Sequence, residues 1–156
     1  MKVKRKMVKN KLEKITSKSL KSCFAWAMKL HNNPLSHQNT PADYIVSDNG
    51  TFALIECKQV TCKEGKGRLA FKRLKQLHDL LSFLRVDYNH HKAYFLIAYY
   101  DNRWDKSDVY LIPVLDVQLM IERLNKQASI NREEAKFRFN KYRINYEGGE
   151  LKFKKL

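Results

Sequence analysis

The chain has 156 residues, of which 44% are hydrophobic, and this is enough apolar material for the core of one domain. It carries 31 lysines and arginines against 16 acidic residues, which gives a net charge of +15 at pH 7. No apolar run reaches the ~18 residues of a membrane span, and no apolar segment of a secretory signal follows the basic start. The sequence therefore favours a cytoplasmic protein over a membrane-spanning or secreted one.

The first elements in chain order are a basic arm and a helix. Residues 1–8 predict a mobile basic arm on a single domain that spans residues 1–156. From about Asn10 to Leu30, apolar residues recur at helical spacing and predict the first helix. Residues 31–41 are polar and contain two prolines, so they predict a loop.

A hairpin is predicted next. Asp43 to Ser47 reads as a short strand, and Thr51 to Gln59 reads as a largely buried one. Between them, Asp48-Asn49-Gly50 is typical of a tight hairpin turn. Residues 62–67 are charged, contain glycine and predict a loop.

The remainder alternates between helices and strands. The predicted elements are a helix from Leu69 to Leu84, strands at Ala93 to Tyr100 and Asp108 to Ile112, a helix from Pro113 to about Asn125, a short helix capped by Ser129 that takes in Asn131 to Phe139, and a terminal hairpin over Tyr142 to Phe153 around Gly148-Gly149. This order predicts an α/β fold with a mixed central sheet flanked by helices.

The positive charge is concentrated in two stretches. Residues 1–22 hold nine basic residues and one acid, and residues 58–75 hold seven basic residues and one acid. A small domain with this charge repels itself unless it meets a polyanion, of which nucleic acid is the commonest and an anionic membrane surface is the alternative. A solvated lysine-rich surface is the simpler interpretation. Because the stretches flank the candidate site described next, we expect DNA contacts from Lys4, Arg5, Lys6, Lys9, Lys63, Lys66, Arg68, Lys72 and Arg73.

The candidate site combines one aspartate with a Glu-x-Lys tripeptide. Asp43 begins the first hairpin strand, and Glu56 lies near the end of its partner, so the turn brings the two carboxylates together. Residues 56 and 58 point to one face of a strand, since side chains alternate with period two. Two adjacent carboxylates repel each other unless a cation lies between them.

Oxygen ligands of this kind suit Mg²⁺, for which we expect Mn²⁺ to substitute. Such a metal acidifies a water molecule and neutralises charge on a phosphate. Lys58 would orient the water or stabilise the developing negative charge. The backbone carbonyl of Cys57 is a further candidate ligand. We interpret the cysteine side chains themselves as reduced core residues, because three cysteines without metal-ligand spacing indicate neither disulfides nor zinc.

These residues resemble the PD-(D/E)xK nuclease superfamily, whose motif matches Pro41, Asp43, Glu56 and Lys58 with one extra residue, Ala42. From about residue 10 to 125 the chain looks like the RecU family of Holliday junction resolvases, with some similarity to the archaeal resolvases. The segments that carry this likeness are Leu12-Glu13-Lys14, Thr40 with Asp43 and Tyr44, Leu74-Lys75-Gln76-Leu77, and Tyr110 to Pro113 followed by Asp116.

The resemblance implies a restriction-endonuclease-like fold and a metal-dependent endonuclease of DNA recombination and repair, working as a homodimer on four-way junctions. It adds Glu13 as a metal ligand and Gln76 as a catalytic residue. Each residue also has a simpler interpretation: Glu13 on a lysine-rich helix fits an ion pair, and Gln76 fits an ordinary position on the helix surface. The chain lacks the long stalk that the RecU family inserts before the catalytic aspartate. A nuclease acting on other DNA in restriction or repair, and a non-catalytic basic DNA-binding module, are the alternatives.

Overall fold

The computed structural model describes residues 2–31 and 40–156, and for residues 2–10 it describes the backbone only. The α-helices of this part are α1 (Lys2–Cys23), α2 (Leu77–Val86), α3 (Val114–Arg123) and α4 (Arg132–Phe139). The strands are β1 (Trp26–Lys29), β2 (Tyr44–Asp48), β3 (Thr51–Thr61), β4 (Arg68–Ala70), β5 (His91–Asp101), β6 (Arg103–Pro113), β7 (Ser129–Asn131), β8 (Tyr146–Glu147) and β9 (Glu150–Leu151).

The central sheet has the strand order β1-β2-β3-β5-β6. β3 and β5 run parallel, and all other neighbours in this sheet run antiparallel. A parallel pair needs a crossover connection, and here the connection contains β4 and α2. The two smaller pairs, β4-β7 and β8-β9, lie outside the main sheet. The predicted α/β fold with a mixed sheet flanked by helices is confirmed.

The hairpin of β2 and β3 is built by a two-residue turn. Asp48 pairs with Thr51, and the intervening Asn49 and Gly50 have φ angles of 49° and 80°. Positive φ at both central positions matches the right-handed twist of the strands, and asparagine followed by glycine adopts it at little cost. The turn sets the register that places Asp43 opposite the middle of β3.

The sheet separates two apolar layers. One face of β3 directs Leu54 and Val60 towards α2 and α3, whose buried side chains include Leu80 and Val117. The other face directs Ala53 and Ile55 towards α1 and the β8-β9 hairpin. Glu56 and Lys58 alternate with the second group, so they point to the α2 face.

Four boundaries differ by five residues or more from the sequence prediction, and one of them is the start of the strand predicted from Asp108, which begins at Arg103. The first helix begins at Lys2 and ends at Cys23, and residues 26–29 form β1, because Ala27 pairs with Val46 at the free edge of β2. The helix predicted from Leu69 begins only at Leu77, since Leu69 pairs with Ile130 in the β4-β7 pair and a 3₁₀ turn follows at Phe71–Arg73.

The predicted cap at Ser129 is also wrong. Asn131 caps α4 in a capping box with Glu134, while Ser129 lies in β7. The arm predicted for residues 1–8 has, from Lys2 on, the backbone of α1, and its mobility stays a prediction. Residues 32–39 of the loop predicted at residues 31–41 lie outside the described residues. No described helix is long and apolar enough to cross a membrane.

Candidate metal-binding and catalytic site

Asp43 and Glu56 meet where β2 begins beside the middle of β3. The backbone N–H of Asp43 donates to the carbonyl of Ile55 at 3.1 Å, which holds the start of β2 against β3. The Asp43 carboxylate in turn accepts a hydrogen bond of 2.8 Å from the backbone N–H of Cys57. A side-chain hydrogen bond also joins Asp43 and Glu56. The predicted proximity of the two carboxyl groups is therefore present.

Glu56 is buried, with 5% of its surface exposed. Burial, followed by the charge of Asp43 and the hydrogen bond with it, raises the pKa of Glu56 to about 8, against a smaller lowering effect of Lys58. A carboxyl group of this kind retains a proton near neutral pH unless a cation takes its place. When the pair of Asp43 and Glu56 binds a cation near neutral pH, it therefore releases one proton.

Lys58, the cation of the sequence motif, lies beside the pair of Asp43 and Glu56. Its Nζ lies 3.7 Å from Oε2 of Glu56, and both side chains are largely buried. Burial lowers the pKa of Lys58, and the nearby charges of Arg73 and Lys75 lower it further, while Glu56 and Asp43 oppose this. The segment before α2 therefore adds positive charge beside the carboxylates.

Cys57 contributes through its backbone. Within a strand, the N–H and C=O of one residue point to the same side, so its carbonyl points, like its N–H, towards Asp43. Its thiol lies 4.0 Å from the hydroxyl of Thr16 on α1, and burial raises the thiol pKa well above the ordinary value. All three cysteines are free, and burial raises the pKa of each, as expected of unreactive thiols.

Glu13 approaches the site from α1. Its carboxylate forms a 2.9 Å ion pair with Lys29 on β1, and its backbone carbonyl accepts a 2.7 Å hydrogen bond from the hydroxyl of Tyr44. Its charge contributes to the raised pKa of Glu56, although less than Asp43 does. Among the described side chains, no three histidines, cysteines or acids lie close enough to form a metal site. The role of Glu13 as a metal ligand stays a prediction.

Gln76 lies immediately before α2, at its N-terminal cap position. Its side-chain Oε1 is buried, and no hydrogen-bond partner for it is found among the described residues. A buried acceptor without a partner costs on the order of 1–3 kcal/mol. The Oε1 atom of Gln76 therefore does not lie on the surface, as the simpler interpretation expected. It can accept a hydrogen bond from a water molecule.

The basic residues after β3 lie on the connection to α2, and Arg73 and Lys75 are the ones whose charge acts on Lys58. Five of the predicted DNA contacts are exposed in the segment that leads from β3 to α2: Lys63, Lys66, Arg68, Lys72 and Arg73. Arg73 also donates a 2.9 Å hydrogen bond to the carbonyl of Gln59, which holds the segment against the end of β3. The side chains of the other four, Lys4, Arg5, Lys6 and Lys9, lie outside the described part of the chain.

The sequence analysis missed Lys29, the partner of Glu13. The predicted first helix includes this position, whereas it lies on an edge strand that brings it back to α1. Trp26, Ala27, Met28 and Lys29 do not alternate between apolar and polar side chains, so no periodicity in the sequence indicated this strand. Tyr44 was singled out only by resemblance, and its hydroxyl connects Ser17 and Glu13 at 2.7 Å each.

Comparison with known proteins gives a distant structural likeness. No family model matches the chain, and no curated protein matches it. A solved structure of Hjc from Archaeoglobus fulgidus, described as a Holliday junction resolvase from an archaeal hyperthermophile, is 18% identical, with a TM-score of 0.43 over 70% of this chain and 75% of the other. At this distance the likeness carries no conclusion about activity, and the likeness to RecU stays a prediction.

Proposed function

We propose that this chain is a divalent-metal-dependent endonuclease that cleaves DNA phosphodiesters and that four-way junctions are its preferred substrate. The observation that carries the proposal is the buried Glu56 next to the half-buried Asp43 and beside Lys58. A structural role explains this arrangement poorly, because burying one carboxyl group against another is unfavourable. Such a cost is commonly accepted at catalytic sites.

The donor set fits a hard divalent cation such as Mg²⁺ or Mn²⁺. The carboxylates of Asp43 and Glu56 and the carbonyl of Cys57 are all oxygen donors, the type that these ions prefer. Two carboxylates with water in the remaining positions are typical of Mg²⁺ sites. Glu13 is the candidate for a further ligand, after release from Lys29. When bound, the cation would supply Lewis acidity towards water and phosphate oxygens.

The chain's own groups then have separate tasks in the hydrolysis. A water molecule loses a proton to solvent and attacks the phosphorus, the bond from phosphorus to one sugar oxygen breaks, and that oxygen takes up a proton from solvent. Lys58, held beside Glu56, would stabilise the negative charge that develops on the phosphate. The buried Oε1 of Gln76 would accept a hydrogen bond from a water molecule and orient it. The exposed cations that follow β3 would hold the DNA backbone over the site.

Cleavage of labelled synthetic four-way junctions, and of linear duplex of the same sequence, tests the proposal. We expect cleavage with Mg²⁺ or Mn²⁺ and none with EDTA. Asp43→Asn, Glu56→Gln and Lys58→Ala should each lower the rate by at least ~10²-fold, because each removes a charge that acts on the reacting phosphate. Junction binding should remain, and removal of a carboxylate should tighten it by relieving repulsion of phosphate.

Two exposed residues provide matched controls. Asp105 is a surface acid paired with Arg103, and Lys106 is an exposed lysine next to it. Asp105→Asn and Lys106→Ala make the same chemical changes outside the site and should cut at the wild-type rate. An Asp43→Asn variant that cuts as fast as the wild type refutes the site assignment. A protein that binds junctions but cuts no DNA with either metal is a binding module.

A further inference from the structure

A second basic surface lies on the sheet face opposite the candidate site. It is a cleft of about 240 Å³ between the C-terminal segment, the stretch from Lys141 to Ile144 and the strands β5 and β6. Its apolar floor includes Tyr94, Leu111 and Ile144. Five cations line it: Lys141, Arg143, Lys152, Lys154 and Lys155. None of the described lining side chains is acidic, so the side chains of this cleft favour an anion.

Some of these cations already have partners. Arg143 is paired with Asp108 at 2.7 Å, and Lys152 lies 3.5 Å from Glu150. Within the part of the chain that the structure describes, no ion pair is found for Lys141, Lys154 or Lys155, all of which are exposed. These three lysines therefore carry the positive charge that is available to a ligand.

The C-terminal segment that carries two of the lysines is anchored to the domain. Phe153 is buried next to Phe24, with the ring centroids 6.2 Å apart, and its carbonyl accepts a hydrogen bond from the thiol of Cys23. The N–H of Leu156 donates to Asp48 at 3.3 Å. Because these contacts fix the backbone on both sides of Lys154 and Lys155, the two lysines are presented at defined positions.

The cleft and the catalytic pair lie on opposite faces of the sheet. Tyr94 on β5 is the register partner of Ile55 on β3, and both belong to the apolar layer on the α1 side. Glu56 is the next residue along β3 and points to the α2 side. A straight duplex that lies against the α2 side therefore does not reach the cleft.

We propose that the cleft binds the phosphate backbone of a second duplex arm while the first arm occupies the candidate site. The inference rests on the proposed function, because it takes DNA as the substrate of the site. The chemistry supports a polyanion, since several cations with few acidic partners match a run of phosphates. It also identifies the class of DNA, because only branched or sharply bent DNA has arms on both faces of one domain.

Binding of two probes tests the inference: a synthetic four-way junction, and a linear duplex of the same sequence. The variant is Lys141→Gln, Lys154→Gln and Lys155→Gln combined. Its control is Lys106→Gln, Lys126→Gln and Lys136→Gln, which removes the same charge from exposed positions outside the cleft. Binding is measured over a range of salt concentrations in EDTA, so that no strand is cut, and circular dichroism verifies the fold.

We expect the cleft variant to lose at least tenfold more affinity for the junction than for the duplex. Its salt slope on the junction should fall by up to ~2.7, at ~0.9 for each phosphate that it no longer neutralises. The control should weaken both probes to the same modest extent. An equal loss on the two probes, or a cleft variant that behaves like the control, overturns the inference.

Cleavage assays keep this inference separate from the proposed function. The cleft variant retains Asp43, Glu56 and Lys58, so at saturating protein it should cut bound junction at the wild-type rate with Mg²⁺. A wild-type protein that fails to cut any DNA, while the cleft variant still loses junction binding selectively, refutes the nuclease and retains the second-arm surface. Normal cleavage by the wild type, together with unchanged junction binding by the cleft variant, supports the nuclease and refutes the second-arm surface.

Discussion

Glu56 is 5% exposed, its carboxyl group lies beside that of Asp43, and Lys58 forms an ion pair with it at 3.7 Å. At neutral pH such a pair is stable with one proton shared between the carboxyl groups, or with both groups ionised around a cation. Protons and divalent cations therefore compete for the same place. This competition has a consequence for stability that is measurable without any DNA.

We expect the metal-free protein to lose stability as the pH rises. The pKa of Glu56 is about 8 in the folded chain against an ordinary value of 4.5, so the stabilisation is complete below pH 4.5 and is lost as the pH rises through 8. Over this window the free energy of unfolding should fall by up to ~1.4 kcal/mol per pH unit from this group. Denaturant titrations in EDTA from pH 5 to 8 measure the slope.

Glu56→Gln should flatten this dependence, because glutamine does not titrate. Glu122→Gln changes an exposed glutamate of α3 and should retain the wild-type slope. Mg²⁺ should stabilise the wild type most at the upper end of the pH range and should do much less for Asp43→Asn. Identical slopes for the wild type and Glu56→Gln contradict this account of the pair.

The three motif residues of the site could be located from the sequence because their geometry depends on local rules. The Asn49-Gly50 turn sets the register of β2 and β3, and strand alternation places Glu56 and Lys58 on one face. The environment of Glu13 could not be found in this way. Its partner Lys29 comes from an edge strand whose pairing with β2 depends on the tertiary structure.

At the scale of elements, β3 and β5 were predicted to within about two residues at each end, because apolar runs such as the one in β5 distinguish a buried strand. The polar first half of β6 was missed. The other errors fall where a short segment pairs with a distant one. Leu69 has an apolar character that fits either a helix or a strand, and its pairing with Ile130 decides for the strand. Such pairings join residues far apart in sequence, and no local pattern indicates them.

The N-terminal part of α1 is the element for which we make the next prediction. It has five basic residues: Lys2, Lys4, Arg5, Lys6 and Lys9. The first described buried side chain of α1 is that of Leu12, which packs with Ile15 on the sheet. Deletion of residues 2–9 should therefore leave the core intact, weaken DNA binding and flatten the salt slope by ~0.9 for each phosphate that is no longer neutralised.

Replacing the same five residues with glutamine separates charge from length. If the positive charge acts on DNA phosphates, the substituted full-length chain and the deletion should show the same reduced slope. Fluorescence anisotropy of labelled junction DNA over a range of salt concentrations measures it. A deletion variant with an unchanged slope means that this part of α1 only improves solubility.

At the scale of the whole molecule, the division into two faces organises the proposed activity. The candidate site points to the α2 side, and the C-terminal cleft opens on the α1 side. The large apolar side chains that are exposed among the described residues include two groups: Trp26, Met28 and Phe52 on β1 and β3, and Leu115 and Leu119 on α3. Exposed apolar groups of this kind are common at interfaces between subunits.

Junction resolution requires more than charge, because phosphates are present in duplex and junction alike. Two cuts at related positions on a four-way junction suit two active sites related by a two-fold axis. We therefore expect a homodimer in solution that binds four-way junctions more tightly than duplex of the same sequence. Only residues 30–42 lie between β1 and Asp43, so no long stalk helps to select the junction.

The margin between junction and duplex should therefore be smaller than for a resolvase with a stalk, and some cutting of other branched DNA should occur. Sedimentation equilibrium measures the oligomeric state, and competition of unlabelled duplex against labelled junction measures the margin. Because discrimination by two sites requires that both be held at one spacing and angle, the junction preference should decrease when the protein is diluted below its dimer dissociation constant, and the part that depends on the C-terminal cleft should remain in the monomer. A strict monomer with equal affinity for junction and duplex rules out resolution and leaves a nuclease of general DNA.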